Sequence, residues 1–190
     1  MTDLKLSRQI YRDLINGKTV NKHIYDPVSG SLKNNPKFDE ITAGYDGENG
    51  YHALYARIGF ELVLQPSYAY LRDEGLSADE PHDTAAAIQA VLTVLAKTVA
   101  DSGYRYELLE HEQAGISEEL CARADQNDEI RAVLEACGCD PAKSLWDEAA
   151  RWLVRRDIAF INAKGNLVLA DSGRDFFRQV FESGIVQDAE

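Results

Sequence analysis

The sequence predicts a mainly α protein with small β-hairpins (α+β), arranged as two tandem winged-helix domains. Two observations carry this. An amphipathic helix runs into a hairpin twice, once around residues 51–73 and again around residues 141–170. In the second half, helix follows helix follows helix before the hairpin, which is the winged-helix order. The halves share element order but little sequence, so this is not a short repeat array. The expected boundaries are an N-terminal domain at 1–74, a linker at 75–83 and a C-terminal domain at 84–190.

The first helix lies in "LSRQIYRDLING". Leu6, Ile10, Leu14 and Ile15 form one stripe with Tyr11 beside them, closed by Asn16 and Gly17. Residues 18–50 are rich in Asn, Gly, Asp and Pro and read as a long irregular segment. A short strand is expected near "TVNKHI" and a helical turn near "FDEITAG". In "ENGYHALYARIG", Tyr51, Leu54, Tyr55 and Ile58 fall at helical spacing, and Gly59 suits the left-handed residue after a helix. "FELVLQ" and "YAYLRD" alternate and flank Pro66 and Ser67, which predicts a hairpin.

"DEGLSADEPHD" is polar, acidic and punctuated by Gly75 and Pro81, so the boundary is placed there. A long helix follows over 84–102, with Ile88, Val91, Leu92, Leu95 and Val99 on its apolar stripe and Gly103 closing it. Shorter helices are expected in "SEELCARAD" and "DEIRAVLEACG". The next helix, 141–156, has Asp140 as its cap and Pro141 at the first helical position. Its apolar face holds Leu145, Trp146, Ala149, Trp152 and Leu153. "IAFINA", "KGN" and "LVLA" form a second hairpin, and "SGRDFFRQVFE" a last helix around Phe176, Phe177 and Val180.

A hydrophobic content of 45% supports a packed core. No run of eighteen or more apolar residues is present, so no membrane span is expected. The start, "MTDLKLSRQI", lacks the apolar stretch of a signal peptide, and the expected location is the cytoplasm. Cys121, Cys137 and Cys139 are read as ordinary reduced cysteines. "CGC" has metal-like spacing, but a structural zinc site needs four ligands and the histidines supply no second pair.

The net charge is −12, unevenly spread. Residues 1–72 carry nine Lys or Arg against eight Asp or Glu, whereas residues 73–190 carry eleven against twenty-four. Phosphate neutralisation supplies most nonspecific DNA affinity, so such a chain is a poor free-standing DNA coat. Protein partners come first.

No catalytic constellation emerges, and the chain is read as a non-enzyme without a cofactor. "GYDGENG" lacks the strand that precedes a phosphate loop, and "PAKSLW" lacks its glycines. "DQNDE" lacks the glycine and distal glutamate of a calcium loop. The candidate DNA contacts are basic. In the second half they are Lys143, Arg151, Arg155 and Arg156 on the 141–156 helix, and Lys164 at the hairpin tip. Lys143–Asp147 and Asp147–Arg151 are i,i+4 pairs that would partly neutralise this face, so a solvated or protein-facing surface stands as the alternative. In the first half, Lys18, Lys22, Lys33 and Lys37 are spread along the irregular segment, which also reads as a plain solvated loop. The tyrosines Tyr51, Tyr55, Tyr68 and Tyr70 fit either a local core or a protein interface.

"IYRDLINGKTVNK" followed by "YHALYARIGFELVLQPSYAYLRDE" resembles the N-terminal region of the MukE family. It is more similar to the MksE family, the small subunit of MukBEF-like bacterial condensins. The shared pattern is an aromatic and apolar helix, a short "ELVL" strand and a returning "YAYLR" strand, over roughly residues 6–72. The second half agrees in element order more than in sequence. The chain stops soon after its Phe-rich helix, at "GIVQDAE", where MukE proper is longer, which again favours MksE.

The resemblance implies a tandem winged-helix protein that forms a homodimer and binds a kleisin subunit of the MksF or MukF kind. Through the complex it meets an SMC ATPase of the MksB or MukB kind, which hydrolyses the ATP. It implies a nucleoid-associated role in chromosome organisation and segregation or in plasmid restriction, with DNA bound weakly or only in the complex. The matching segments imply a dimer or kleisin surface that includes Ile10, Tyr11, Leu14, Tyr68 and Tyr70. The alternative is a stand-alone winged-helix transcription regulator.

Overall fold

A computed structural model describes residues 4–73, 75 and 83–187, with the helical backbone alone over 180–187. Its elements run α1 (Leu4–Ile15), β1 (Val20–Asn21), β2 (His23–Asp26), β3 (Ser31–Asn34), α2 (Pro36–Ala43), α3 (Tyr51–Ala56), β4 (Phe60–Leu64) and β5 (Tyr68–Asp73). The second half continues with α4 (Asp83–Asp101), α5 (Glu107–Glu110), α6 (Glu118–Ala124), α7 (Asp128–Ala136) and α8 (Leu145–Trp152). A 3₁₀ turn (Val154–Arg156) leads to β6 (Ala159–Ile161), β7 (Leu167–Leu169) and α9 (Asp171–Gln187). The chain is mixed α+β, about half helical with small antiparallel sheets. Apart from Gly75 and Asp83, the expected linker lies outside the described residues.

The two halves share a pairing scheme. In the first, β1 pairs antiparallel with β5 (Val20 opposite Ala69), and β5 pairs with β4 (Leu62 opposite Leu71), giving the order β1-β5-β4. In the second, β6 and β7 form a hairpin, and an isolated bridge sets Ile116 beside Leu167 of β7. Leaving aside the β2–β3 hairpin of the first half and α5 and α9 of the second, each half reads helix, short extended piece, further helices, hairpin, with its first extended piece paired to its last strand. Gly115 permits the second pairing: its φ is +83°, and a Cβ there would lie 2.7 Å from the Leu167 carbonyl.

Two separate hydrophobic clusters fill these halves. Ile10, Leu14, Val20, Phe38, Ile41, Tyr51, Tyr55, Leu62 and Ala69 make the first. The second gathers around α4, whose Val91, Leu92, Leu95 and Val99 pack with Leu109, Ile116, Leu145, Leu153, Leu167 and Phe177. By length and composition α4 could cross a membrane, but here eight of its nine buried residues belong to this cluster. Gly173 allows α9 to close over it, because a Cβ there would lie 2.1 Å from the Ile158 carbonyl.

Three expectations need correction. Residues 18–50 are not irregular: β2 and β3 form a hairpin with Tyr25 opposite Leu32, and α2 follows, capped by Asn35 with Pro36 in the first turn. The strand near "TVNKHI" and the helical turn near "FDEITAG" are present as β1 and α2, whereas the β2–β3 hairpin was hidden because its strands are only four residues long. The predicted 141–156 helix is shorter. Ser144, not Asp140, caps it by accepting the Asp147 amide, so Pro141 and Lys143 lie before it. The predicted i,i+4 pairs give way accordingly: Asp147 accepts from Ser144, and Arg151 pairs with Glu148. Finally, α3 buries Tyr51 and Tyr55 but leaves Leu54 and Ile58 exposed. A six-residue helix buries one edge, not the whole stripe.

Candidate functional site

The first candidate surface is where α1 meets α3. Ser7 Oγ and the Tyr51 hydroxyl lie 2.8 Å apart, and the Tyr11 and Tyr55 rings stack at 6.4 Å. Burial holds the Tyr55 hydroxyl well above its ordinary pKa. Of the predicted interface residues, Ile10 and Leu14 are 0% and 1% exposed and fill the first core. Tyr68 is buried too, and Tyr70 is half-buried; both rings pack edge-on against Phe176 of α9. These residues join parts of the same chain. Of the five, Tyr11 is the one that faces out, at 54% exposure.

Sequence reasoning missed other members of this face. Leu4 and Ile15 share α1's outer stripe with Tyr11, while Leu54 and Ile58 are exposed from α3 and its end. A cleft of about 290 Å³, which Leu54 borders, is also lined by Ser7, Gly44, Asp46, Asn49, Gly50 and Tyr51. Exposed apolar residues grouped on adjoining helices are the usual mark of a protein-binding face. Clues were present in the sequence: α1 has more large apolar residues than one stripe buries, and α3 is too short to bury four.

The second candidate surface is basic. Arg151 and Arg156 both lie over the Trp152 ring, their Cζ atoms 4.6 and 4.8 Å from its centroid. Such cation–π contacts hold guanidinium planes in place at modest energy. Arg156 also donates to the Arg151 carbonyl at 3.2 Å. Burial, and after it the Arg151 charge, lowers Arg156 below the usual guanidinium pKa. Beneath them, Glu148 is 1% exposed and accepts the Trp152 indole N–H at 2.6 Å. Its second oxygen lies 3.5 Å from Arg151 Nη1.

The remaining basic residues divide. Lys18 reaches Asp157 at 2.9 Å, which brings it beside the Arg155–Arg156 turn of the other half. Lys22, Lys143 and Arg155 are exposed. Lys33 and Lys37 pair with Asp26 and Asp13. Lys164 donates to the Gln113 carbonyl at 2.8 Å, so the second hairpin tip turns its charge onto its own chain. Nearby, Tyr25 of the β2–β3 hairpin stacks on Phe160 at 4.7 Å and accepts the Ala163 amide at 2.9 Å.

The cysteines are free thiols. Burial foremost, then nearby carboxylates, pushes Cys121 and Cys139 up to about 12. Among the described residues no group of His, Cys, Asp or Glu is placed to hold a metal ion.

A comparison with curated proteins gave no significant match. Against protein families, residues 5–181 match the family described as condensin complex protein MksE, nearly the full chain. With that match spanning both halves, the chain belongs to the MksE family and is a condensin complex subunit in the business of chromosome organisation.

Proposed function

We propose that this chain is a non-enzymatic scaffold of an SMC–kleisin condensin, built as two winged-helix domains at 1–74 and 84–190. The repeated helix, strand, helix and hairpin order, with the first strand beside the last, supports the winged-helix reading. The protein acts as a homodimer that binds a kleisin, and through the kleisin it reaches the SMC ATPase. It works in the cytoplasm at the nucleoid, in chromosome segregation or in plasmid restriction. The observation that carries this reading is the exposed apolar set Leu4, Tyr11, Ile15, Leu54 and Ile58 on a condensin-family chain.

DNA is held chiefly once the partners have joined. With a net charge of −12, long-range steering repels a polyanion from the isolated chain. Arg151, Arg155, Arg156 and Lys18 then add local phosphate contacts. The stand-alone transcription regulator is not favoured by the family membership.

The test is light scattering on size-exclusion chromatography, alone and with the cognate kleisin, followed by DNA retention on each peak. A dimer that moves into a larger complex, with DNA retained only there, is the expected result. A protein that ignores the kleisin and binds one DNA sequence tightly by itself would overturn the reading.

A further inference from the structure

The two hydrophobic clusters are joined by a seam of polar groups. Asn21 of β1 sits at its centre, 4% exposed. Its Nδ2 donates to the Asp157 carbonyl at 2.6 Å, and its Oδ1 accepts the Ser172 amide at 2.8 Å. Its own carbonyl accepts Asn35 Nδ2 at 2.7 Å, tying in the start of α2. Thr19 donates its amide to the Arg156 carbonyl at 2.8 Å, and its hydroxyl lies 3.0 Å from that of Ser172. Asp171 accepts both the amide and Nδ1 of His23, at 2.8 and 3.0 Å.

These groups come from residues 19–23 around β1, and Asn35 behind them, on one side and from the turn before β6 and the start of α9 on the other. Asp157 adopts a left-handed backbone, φ 58°, that few non-glycine residues take. The turn it makes aims its carbonyl at Asn21. Further out, Ser67 donates to Asp175 at 3.1 Å, and Leu32 donates its amide to Glu112 at 3.0 Å.

An apolar contact tolerates sliding, because dispersion and burial are non-directional. A buried amide with fixed donors and acceptors does not. Any rotation of one half against the other strands several buried polar groups at once, and each unmet group is costly. The seam therefore admits one orientation.

We infer that this seam, centred on Asn21, is a fixed-angle joint, and that it rather than the connecting segment 74–82 sets how the two halves are held. The chain thus presents its α1/α3 face and its Arg151–Arg156 face at a constant separation. The inference stands on the hydrogen bonds alone and does not depend on which partners those faces take.

Two measurements on the full chain test it. In the first, a protease site is inserted after Gly75 and cleaved in the folded protein. The two pieces are expected to co-elute at the intact mass, and to separate when Asn21→Ala is also present. In the second, spin labels are placed at Ala56→Cys and Val133→Cys in a Cys137→Ser background, diluted with unlabelled protein. One narrow distance is expected, broadening at least twofold with Asn21→Ala. Thr19→Val, which keeps shape but loses the hydroxyl bonds, serves as a second variant should Asn21→Ala fail to fold. Cleaved pieces of the otherwise native chain that elute apart, or a broad distance in it, would overturn the joint. A distance that stays narrow in both seam variants would overturn the role given to the seam.

Discussion

The Trp152 indole N–H donates to Glu148, one helical turn earlier, at 2.6 Å, and both side chains are buried. The same carboxylate faces Arg151, so a single acidic residue inside α8 orients the ring on which two arginines rest. Glu148→Ala strands the indole N–H and removes the counter-charge. The expected loss is about 1–3 kcal/mol, with Glu148→Gln losing less because it can still accept. Urea denaturation followed by tryptophan fluorescence reads both variants, and equal losses would show that the indole bond contributes nothing.

Neighbouring positions on α1 have opposite roles. Leu14→Ala is expected to lower stability by about 2–5 kcal/mol through a core cavity, without a specific effect on association. Tyr11→Glu is expected to leave stability nearly unchanged and to weaken self-association or kleisin binding. Thermal melts beside light scattering separate the two. If Tyr11→Glu assembles normally, the α1/α3 face is not the interface.

The thiols sort by burial. At pH 8, a thiol reagent is expected to label Cys137 quickly and to spare Cys121 and Cys139 until the protein unfolds. Because folding raises the latter two from 9.0 to about 12, it favours their protonated form. That contribution is intact below pH 9 and is lost as pH rises from 9 toward 12. Mass spectrometry of labelled peptides checks the first point, and chemical denaturation at pH 8 and pH 10 checks the second.

Asp26 anchors the β2–β3 turn. The Lys33 ammonium, followed by the Val28 amide and the Ser29 hydroxyl, lowers its pKa from 3.8 to about 2. A depressed carboxylate supports folding above its unfolded value, and that support fades as pH falls from about 4 to 2. Carbon-detected NMR titration should show this low value, moved back toward the ordinary range by Lys33→Ala. A titration unaffected by that substitution would contradict the pairing.

Charge reversal separates the basic candidates. Arg155→Glu is expected to reduce DNA retention by the assembled complex, with a shallower salt dependence. Lys164→Ala should change little, because its ammonium already donates to Gln113. A larger effect at Lys164 would move the DNA contact to the hairpin tip.

Much of the fold was legible in the sequence. The helix α1 with its buried Ile10 and Leu14 (though not Ile15, which faces outward), the long α4 and both expected hairpins follow from spacing, and the MksE family resemblance followed from the α1 phrase together with the one joining α3 to β5. The β2–β3 hairpin was missed because "HIYD" and "SLKN" carry no run of strand-forming residues. Tyr25 stacking on Phe160, far along the chain, accompanies its docking there. The site was less legible. Ile10 and Tyr11 are adjacent and both bulky, yet one is core and the other surface.

The sequence by itself determined α1, α4 and the two hairpins β4–β5 and β6–β7, because their periods and turns are local properties of consecutive residues. It also determined the charge contrast between the halves, which is a matter of counting. Only the tertiary structure decided which aromatic residues face outward, which lysines are already paired, and that Asn21 meets partners 136 and 151 residues away. The physical reason is that periodicity describes one element, whereas burial and hydrogen bonding depend on which other element arrives beside it.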